Sequence, residues 1–318
     1  MSKYPTARQP TLYFIGVTTG QSSIMKVFPR WAKALGLREA VVKGVDLKIH
    51  DEASAYREIV AHIKDDPLSL GALVTTHKID LLHATRDLFE YLDYYATAMQ
   101  EISCISKRGS QLRGHAKDPI TSGLALEAFL PRDYWRQTGA EVLVLGAGGS
   151  SIAVNSYLMN PEFGANRPSK IYVTDPSIDR LKMSREILGR IVAGFPCEFL
   201  QATGPKVNDE LVGRLKRDSL VINATGLGKD VPGSPITDAA CFPLNGIAWD
   251  FNYRGDLTFL AQARKQQKAR NLTIEDGWIY FIHGWTQVTF EVFDLKIEVG
   301  SPKFRELCSI AEETLVHA

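Results

Sequence analysis

The string Val144-Leu145-Gly146-Ala147-Gly148-Gly149-Ser150-Ser151 follows a strongly apolar run and opens a helical pattern. The chemistry it offers is that of the backbone. Gly146 permits a tight turn, Gly148 lets backbone N–H groups come close to a pyrophosphate, and the helix N-terminus adds partial positive charge. Gly146, Ala147, Gly148, Gly149 and Ser150 are therefore candidate dinucleotide contacts. Ser151 stands where a third glycine would fall, and a GxG pair alone is not specific. A strand before it, a helix after it and a second strand ending at Asp175 strengthen it. A glycine turn serving only packing is the plainer alternative.

Asp175 bears on the cofactor. A carboxylate at the end of the second strand accepts hydrogen bonds from ribose hydroxyls and repels a 2′-phosphate, which favours NAD over NADP. Arg180 argues the other way, but Asp175 and Asp179 flank it. As a turn or helix-cap aspartate, Asp175 would leave the choice open. A third segment, Asn223-Ala224-Thr225-Gly226-Leu227-Gly228, follows another apolar strand and adds Asn223, Thr225 and Gly226 to the cofactor-binding set. There a nicotinamide ribose would lie in an open α/β sheet; otherwise it is an ordinary strand-end turn.

The elements that must hold these loops alternate. Short β-branched runs near Leu12–Val17, Ala40–Leu47 and Leu70–Thr75 are separated by helical patterns at Ile24–Leu37 and Ser54–Lys64. Pro29 kinks the first helix or delays its start. Glu101–Ser106 and Gln111–His115 read as a hairpin, and Thr121–Phe129 as a helix ended by Pro131, with Arg132–Gly139 a polar connector. The pattern restarts at Glu141–Leu145 and continues through strands at Lys170–Thr174, Cys197–Gln201, Ser219–Asn223 and Gly246–Phe251. A last long helix, Asp276–Phe293, takes Asp276 as its N-cap. The fold class is α/β: an N-terminal α/β substrate domain and a Rossmann-type, doubly wound dinucleotide-binding domain, with a cleft between them.

Bulk properties exclude several roles. The 318 residues suit two domains, and 37 basic against 36 acidic residues leave a formal charge of +1. Neither nucleic acid nor an anionic membrane is favoured as a partner. No run approaches the ~18 apolar residues of a bilayer span, and the start lacks a signal h-region. Cys104, Cys197, Cys241 and Cys308 form no CxxC pair, so no zinc site or disulfide framework is indicated. A cytoplasmic protein acting on a small molecule, as monomer or homodimer and without metal, is expected.

The ordered motifs resemble those of the shikimate/quinate dehydrogenase family. Gly16 to Leu37 aligns without a gap to that family's substrate-binding start. Leu73-Val74-Thr75-Thr76-His77-Lys78 resembles its Asn-Val-Thr…Lys motif, and Gly114-His115-Ala116-Lys117-Asp118 its Gly-x-Asn-Thr-Asp motif. The Gly-Ala-Gly-Gly loop, Asn223-Ala224-Thr225, Asp250-Phe-Asn-Tyr253…Thr258 and the Asp276-Gly277 helix follow in order. The resemblance implies a substrate domain of residues 1–118 completed by 276–318, and a cofactor domain of 119–275. It nominates Lys78 and Asp118 as the catalytic pair, and Ser22, Thr75, Tyr253 and His283 as substrate contacts. A lysine in a water-poor cleft can exchange the proton of a secondary alcohol near neutrality while the hydride leaves for the nicotinamide, and a carboxylate orients it.

Departures are selective. Ile24 stands where the family has a second carboxylate-gripping serine, Leu73 replaces an asparagine, and one residue is missing between Thr75 and Lys78. Ser103, Cys104, Ala116 and Lys117 replace two asparagines and two threonines. The helix glutamine has His283, Gly284 or Trp285 in its place, according to register. Gly226 and Lys229 replace the Pro and Met beside the Asn-Ala-Thr loop. A shikimate left without such partners loses ~1–3 kcal/mol for each polar group. The expectation is an NAD-dependent dehydrogenase of a small polar hydroxylated acid or polyol other than shikimate, with Thr18, Thr19, Gln21, Ser22, Ser23, Thr76, His77, Lys117 and Tyr253 as possible pocket groups. Lys117 could hold a carboxylate or make a surface salt bridge; His77 reads more plainly as a loop histidine. The alternative is a non-catalytic NAD(H) or metabolite sensor. A folate-linked C1 dehydrogenase on a similar plan fits the Tyr253 and Asp118 motifs poorly.

Overall fold

The computed structural model describes residues 3–229 and 231–316. The chain runs β1 (Thr11–Gly16), α1 (Ile24–Ala34), β2 (Val41–Asp46), α2 (Ala53–Asp65), β3 (Ser69–Val74), α3 (Lys78–Thr85), β4 (Tyr91–Leu92), α4 (Tyr94–Met99), β5 (Cys104–Arg108) and β6 (Gln111–His115). It continues through α5 (Asp118–Phe129), α6 (Tyr134–Thr138), β7 (Val142–Leu145), α7 (Gly149–Leu158), β8 (Ile171–Asp175), α8 (Ile178–Ile191), β9 (Cys197–Gln201), α9 (Pro205–Arg214) and β10 (Leu220–Asn223). Then come β11 (Ile247–Asp250), α10 (Thr258–Arg270), β12 (Thr273–Glu275), α11 (Trp278–Val292) and α12 (Pro302–Val316). Two compact units result: residues up to Lys117 with those from Gly284 onward, and Asp118–His283. Asp118 thus opens the second unit, and the far division falls inside α11.

In the first unit the sheet order is β2-β1-β3-β5-β6-β4. β1 pairs in parallel with β2 and β3, whereas β3–β5 and β5–β6 are antiparallel. Every residue of β1 is buried, as a strand covered on both faces requires. Aromatic anchors on β1 and α1 hold the C-terminal residues of this unit. Trp31 Nε1 donates to Leu307 O at 2.8 Å, Phe14 meets Trp285 edge-on with centroids 5.0 Å apart, and Phe28 lies 6.1 Å from Phe293. α1 begins at Ile24 and carries Pro29 inside it, so a delayed start is not what occurs. It stops short of Leu37 because Gly36 turns left-handed (φ 76°), with Gly36 N–H bonded to Lys33 O and Leu37 N–H to Ala32 O. That is a Schellman closure.

In the second unit all six strands are parallel, in the order β12-β11-β10-β7-β8-β9. The direction of winding reverses between β7 and β10, the place where doubly wound sheets bind ligands beyond their carboxyl ends. Gly123 of α5 lets α7 come close, since a Cβ there would sit 2.1 Å from the Tyr157 ring. The stretch expected as a polar connector, 132–139, contains α6, bracketed by left-handed Asp133 and Gly139 and held by buried Trp135. β4 and β12 had no counterpart among the expected strands; two and three residues are too few to show alternation. α11 starts at Trp278 rather than Asp276. Asp276 Oδ1 accepts the Trp278 N–H at 2.9 Å, so it caps from just before the helix. Gly277 is needed there because a Cβ would lie 2.0 Å from Phe251 O.

Candidate functional site

The glycine loop joins β7 to α7 on one side of the winding reversal. Gly146 has φ 104°, and a Cβ on it would meet Ala224 O at 2.9 Å and Thr225 Cγ2 at 3.2 Å. The loop after β7 and the loop after β10 are thus in contact through this glycine. Gly148, the N-cap of α7, makes no side-chain cap, and a Cβ placed on it meets nothing within 4 Å. Gly148, Gly149 and Ser150 are half-buried. The first N–H groups of α7, which no helical carbonyl can reach, therefore border open space at the positive end of a ten-residue helix. A diphosphate fits that opening and those donors. Gly226 is exposed, again with nothing within 4 Å of a Cβ.

Beneath these backbone donors lie polar side chains that hold the loops. Asp175 is 5% exposed; its Oδ2 accepts the Ala147 N–H at 3.0 Å and its Oδ1 the Ser177 N–H at 2.9 Å. It thus braces the glycine loop and the turn into α8, and its proposed contact with ribose would have to use remaining lone pairs. Asn223, expected at the cofactor, is fully buried and turned into the loop. Its Oδ1 accepts from Thr225 N (3.1 Å) and Thr225 Oγ1 (2.6 Å), and its Nδ2 donates to Asp250 Oδ2 (3.1 Å). Thr225 Oγ1 in turn accepts Leu227 N–H at 3.2 Å. The local reason is an Asx-type turn: a short amide side chain at a strand end bonds the backbone two residues on.

Asp250 and Asn252 are further members of this brace. Asn252 Nδ2 donates to Thr225 O (3.3 Å) and Leu227 O (3.1 Å), and its N–H goes to Asp250 Oδ1 (2.9 Å). Burial pushes the Asp250 carboxyl up to about 6 despite the hydrogen bonds from Asn252 and Asn223. Only their place in the Asp250-Phe-Asn-Tyr253 string marked them in the sequence. Tyr253 itself is half-buried, with ring centroids 5.0 Å from Phe281 and 5.5 Å from Trp278. His283 is buried at 1% exposure on α11, and burial pulls its imidazole down to about 4, so it is neutral at neutral pH. Asp118 is the first residue of α5, half-buried, its carbonyl accepting the hydroxyls of Thr121 (3.0 Å) and Ser122 (2.8 Å).

In the first unit, Ser22, Thr75 and Lys78 share the carboxyl ends of β1 and β3. Ser22 follows β1, its N–H bonded to Thr19 O at 3.0 Å, and Thr75 N–H bonds Ile15 O at 3.0 Å. Lys78, half-buried, is the first residue of α3. Other expected pocket groups are committed elsewhere. Thr19 is buried, its N–H and Oγ1 donating to Asp46 Oδ1 at 2.8 and 2.6 Å. Ile24, which stands in place of a family serine and was not among those groups, is fully buried in the core. Lys117 pairs with Glu291 Oε2 at 2.8 Å, the salt-bridge alternative but in an inner network. Arg108 lies 3.1 Å and His115 Nε2 3.4 Å from Glu291 Oε1. Burial pushes the Glu291 carboxyl up, but the Lys117 hydrogen bond and the charges of His115, Lys117 and Arg108 outweigh it and hold the group at about 2. Among the described residues no group of His, Cys, Asp and Glu could hold a metal ion, and no helix is long and apolar enough to cross a membrane.

No family model matches the chain. A shikimate dehydrogenase (NADP(+)) of Streptococcus thermophilus is 28% identical over 168 residues, 52% of this chain and 54% of that protein. The chain thus spans about half the length of this curated relative. The quinate dehydrogenase of Corynebacterium glutamicum in complex with NAD has a TM-score of 0.72 at 18% identity, over 98% of this chain and 99% of that one. Ligand-free 5-ketofructose reductase of Gluconobacter sp. gives 0.69 at 16%, over 96% and 99%. The fold is therefore that of two-domain proteins with a Rossmann-type nucleotide unit. More narrowly, it is the fold of the shikimate/quinate dehydrogenases, the family that the motifs and the half-length match also resemble.

Proposed function

We propose that this chain is an NAD-dependent dehydrogenase acting on the CH–OH group of a small polar hydroxylated acid or polyol, and that shikimate is not its substrate. One observation carries the assignment: two glycine-bearing loops, after β7 and β10, meet across the winding reversal with the first N–H groups of α7 bordering open space. Bound NAD⁺ supplies the hydride acceptor. The backbone of Gly148, Gly149 and Ser150 holds its diphosphate. The negative charge of Asp175 beside the loop favours a 2′-hydroxyl over a 2′-phosphate.

Lys78 takes the hydroxyl proton at Nζ, with Asp118 as the orienting carboxylate. Ser22, Thr75, Tyr253 and His283 are the substrate contacts, His283 as a neutral imidazole. Ile24 in the core and Lys117 paired with Glu291 take away two groups that could grip a carboxylate in this place. The same fold serves a quinate dehydrogenase and a 5-ketofructose reductase, so a hydroxy acid or a keto sugar suits its architecture. The protein acts in the cytoplasm as a monomer or homodimer. Lys78→Ala lowers turnover at least ~10²-fold while dinucleotide binding persists. Retained turnover in that variant removes the assignment.

The committed side chains of Thr19 and Lys117 favour one second reading, a dinucleotide or metabolite sensor without chemistry. Dinucleotide binding with no turnover across a broad panel of hydroxy acids and polyols would select it.

A further inference from the structure

The three residues between β3 and α3, Thr75 to His77, carry an unusual conformation. Thr76, β-branched and exposed, has φ 52°, a left-handed backbone that costs about 1–3 kcal/mol for such a side chain. The next residue, His77, is 1% exposed, and its N–H bonds the Thr75 carbonyl across the turn. His77 also opens α3, accepting the Leu81 N–H at 2.8 Å, yet its side chain does not cap the helix. It turns inward instead. Its Nδ1 lies 3.2 Å from the hydroxyl of Tyr56, itself 1% exposed, and the two rings are 5.6 Å apart.

The Tyr56 oxygen also accepts the Asp51 N–H at 3.1 Å, which ties the ring pair to the start of α2. The other ring nitrogen of His77, Nε2, is buried and has no protein hydrogen-bond partner. A buried ring nitrogen without a partner and a threonine in a disfavoured backbone region are both costs, and both adjoin Lys78.

We propose that His77, anchored by Tyr56, is a positioning residue that holds the Thr75–Lys78 turn in its strained form and so sets the place of the Lys78 ammonium. The inference rests on Lys78 being the proton-transferring lysine. Asp51, Tyr56 and His77 form a line from the start of α2 to the start of α3, and loss of the Tyr56 hydroxyl leaves the imidazole without its buried bond. The Thr76 strain then favours release of the turn.

The test uses the full-length protein and acetic anhydride as probe. Acetylation of Lys78 is measured by peptide mass spectrometry between pH 6 and 10, relative to the exposed Lys182. Thermal unfolding confirms that each variant folds. Tyr56→Phe raises the relative labelling of Lys78 at least ~3-fold and changes its pH profile. Thr76→Gly, which adopts a positive φ freely, leaves the labelling at the wild-type level. In the double variant it suppresses the effect of Tyr56→Phe, because no strain remains to release. Unchanged labelling in folded Tyr56→Phe overturns the proposal, as does an equal rise at Lys78 and Lys182. An undiminished effect in the double variant overturns it too. Labelling needs no turnover, so these outcomes are separate from the loss or retention of activity in Lys78→Ala.

Discussion

At the scale of single residues, two glycines two positions apart have different duties. Gly146 is needed by the fold: its φ of 104° and the Ala224 carbonyl 2.9 Å from a built Cβ leave no room for a side chain. Gly146→Ala destabilises the protein by about 1–3 kcal/mol and costs dinucleotide binding with it. Gly148 is extended at φ −80° and ψ −174°, with empty space before it. Gly148→Ser keeps or raises the melting temperature, since serine is a good N-cap, but weakens NAD⁺ at least ~10-fold because Oγ takes the N–H groups a diphosphate needs. Calorimetric titration of both variants separates the duties; full binding by Gly148→Ser contradicts the placement. The glycine loop was legible because its demands are local. The orientation of Asn223 was not, because its amide is claimed by Thr225 and by Asp250, 27 residues away.

At the scale of elements, long periodic segments were legible and short ones were not. α6 is a five-residue helix whose one buried residue is Trp135, and β12 is recognisable only through its pairing with β11. The tie between β5, β6 and α11 was likewise hidden, since it rests on one carboxylate among three basic groups distant in sequence. Glu291 sits at about 2 in the folded protein against an unfolded value near 4.5. A depressed carboxylate contributes stability above its unfolded value and loses it as pH falls through the folded one. That contribution, roughly 3 kcal/mol, is present above about pH 4.5 and gone near pH 2. Glu291→Gln is thus less stable than wild type at pH 7, and urea unfolding shows the gap closing on acidification between these limits. A gap that does not change with pH shows that the network is not electrostatic in origin.

At the scale of the whole molecule, two α/β units were foreseeable from alternating strand and helix patterns, and the strand order of each from neither composition nor periodicity. The order β12-β11-β10-β7-β8-β9 gives the glycine loop its meaning, because it puts that loop at the winding reversal. In the first unit, Ile24, read as a departure from the family's serine, is part of the core, and Thr19, read as a pocket group, is bound to Asp46 instead. Thermal unfolding with NAD⁺, NADP⁺, and each with shikimate or quinate tests the central claim most directly. A ligand at 100 times its dissociation constant adds ~2.7 kcal/mol of stability. The account predicts a rise in melting temperature with NAD⁺ and no further rise with shikimate. A rise with NADP⁺ alone, or a strong further rise with shikimate, contradicts it.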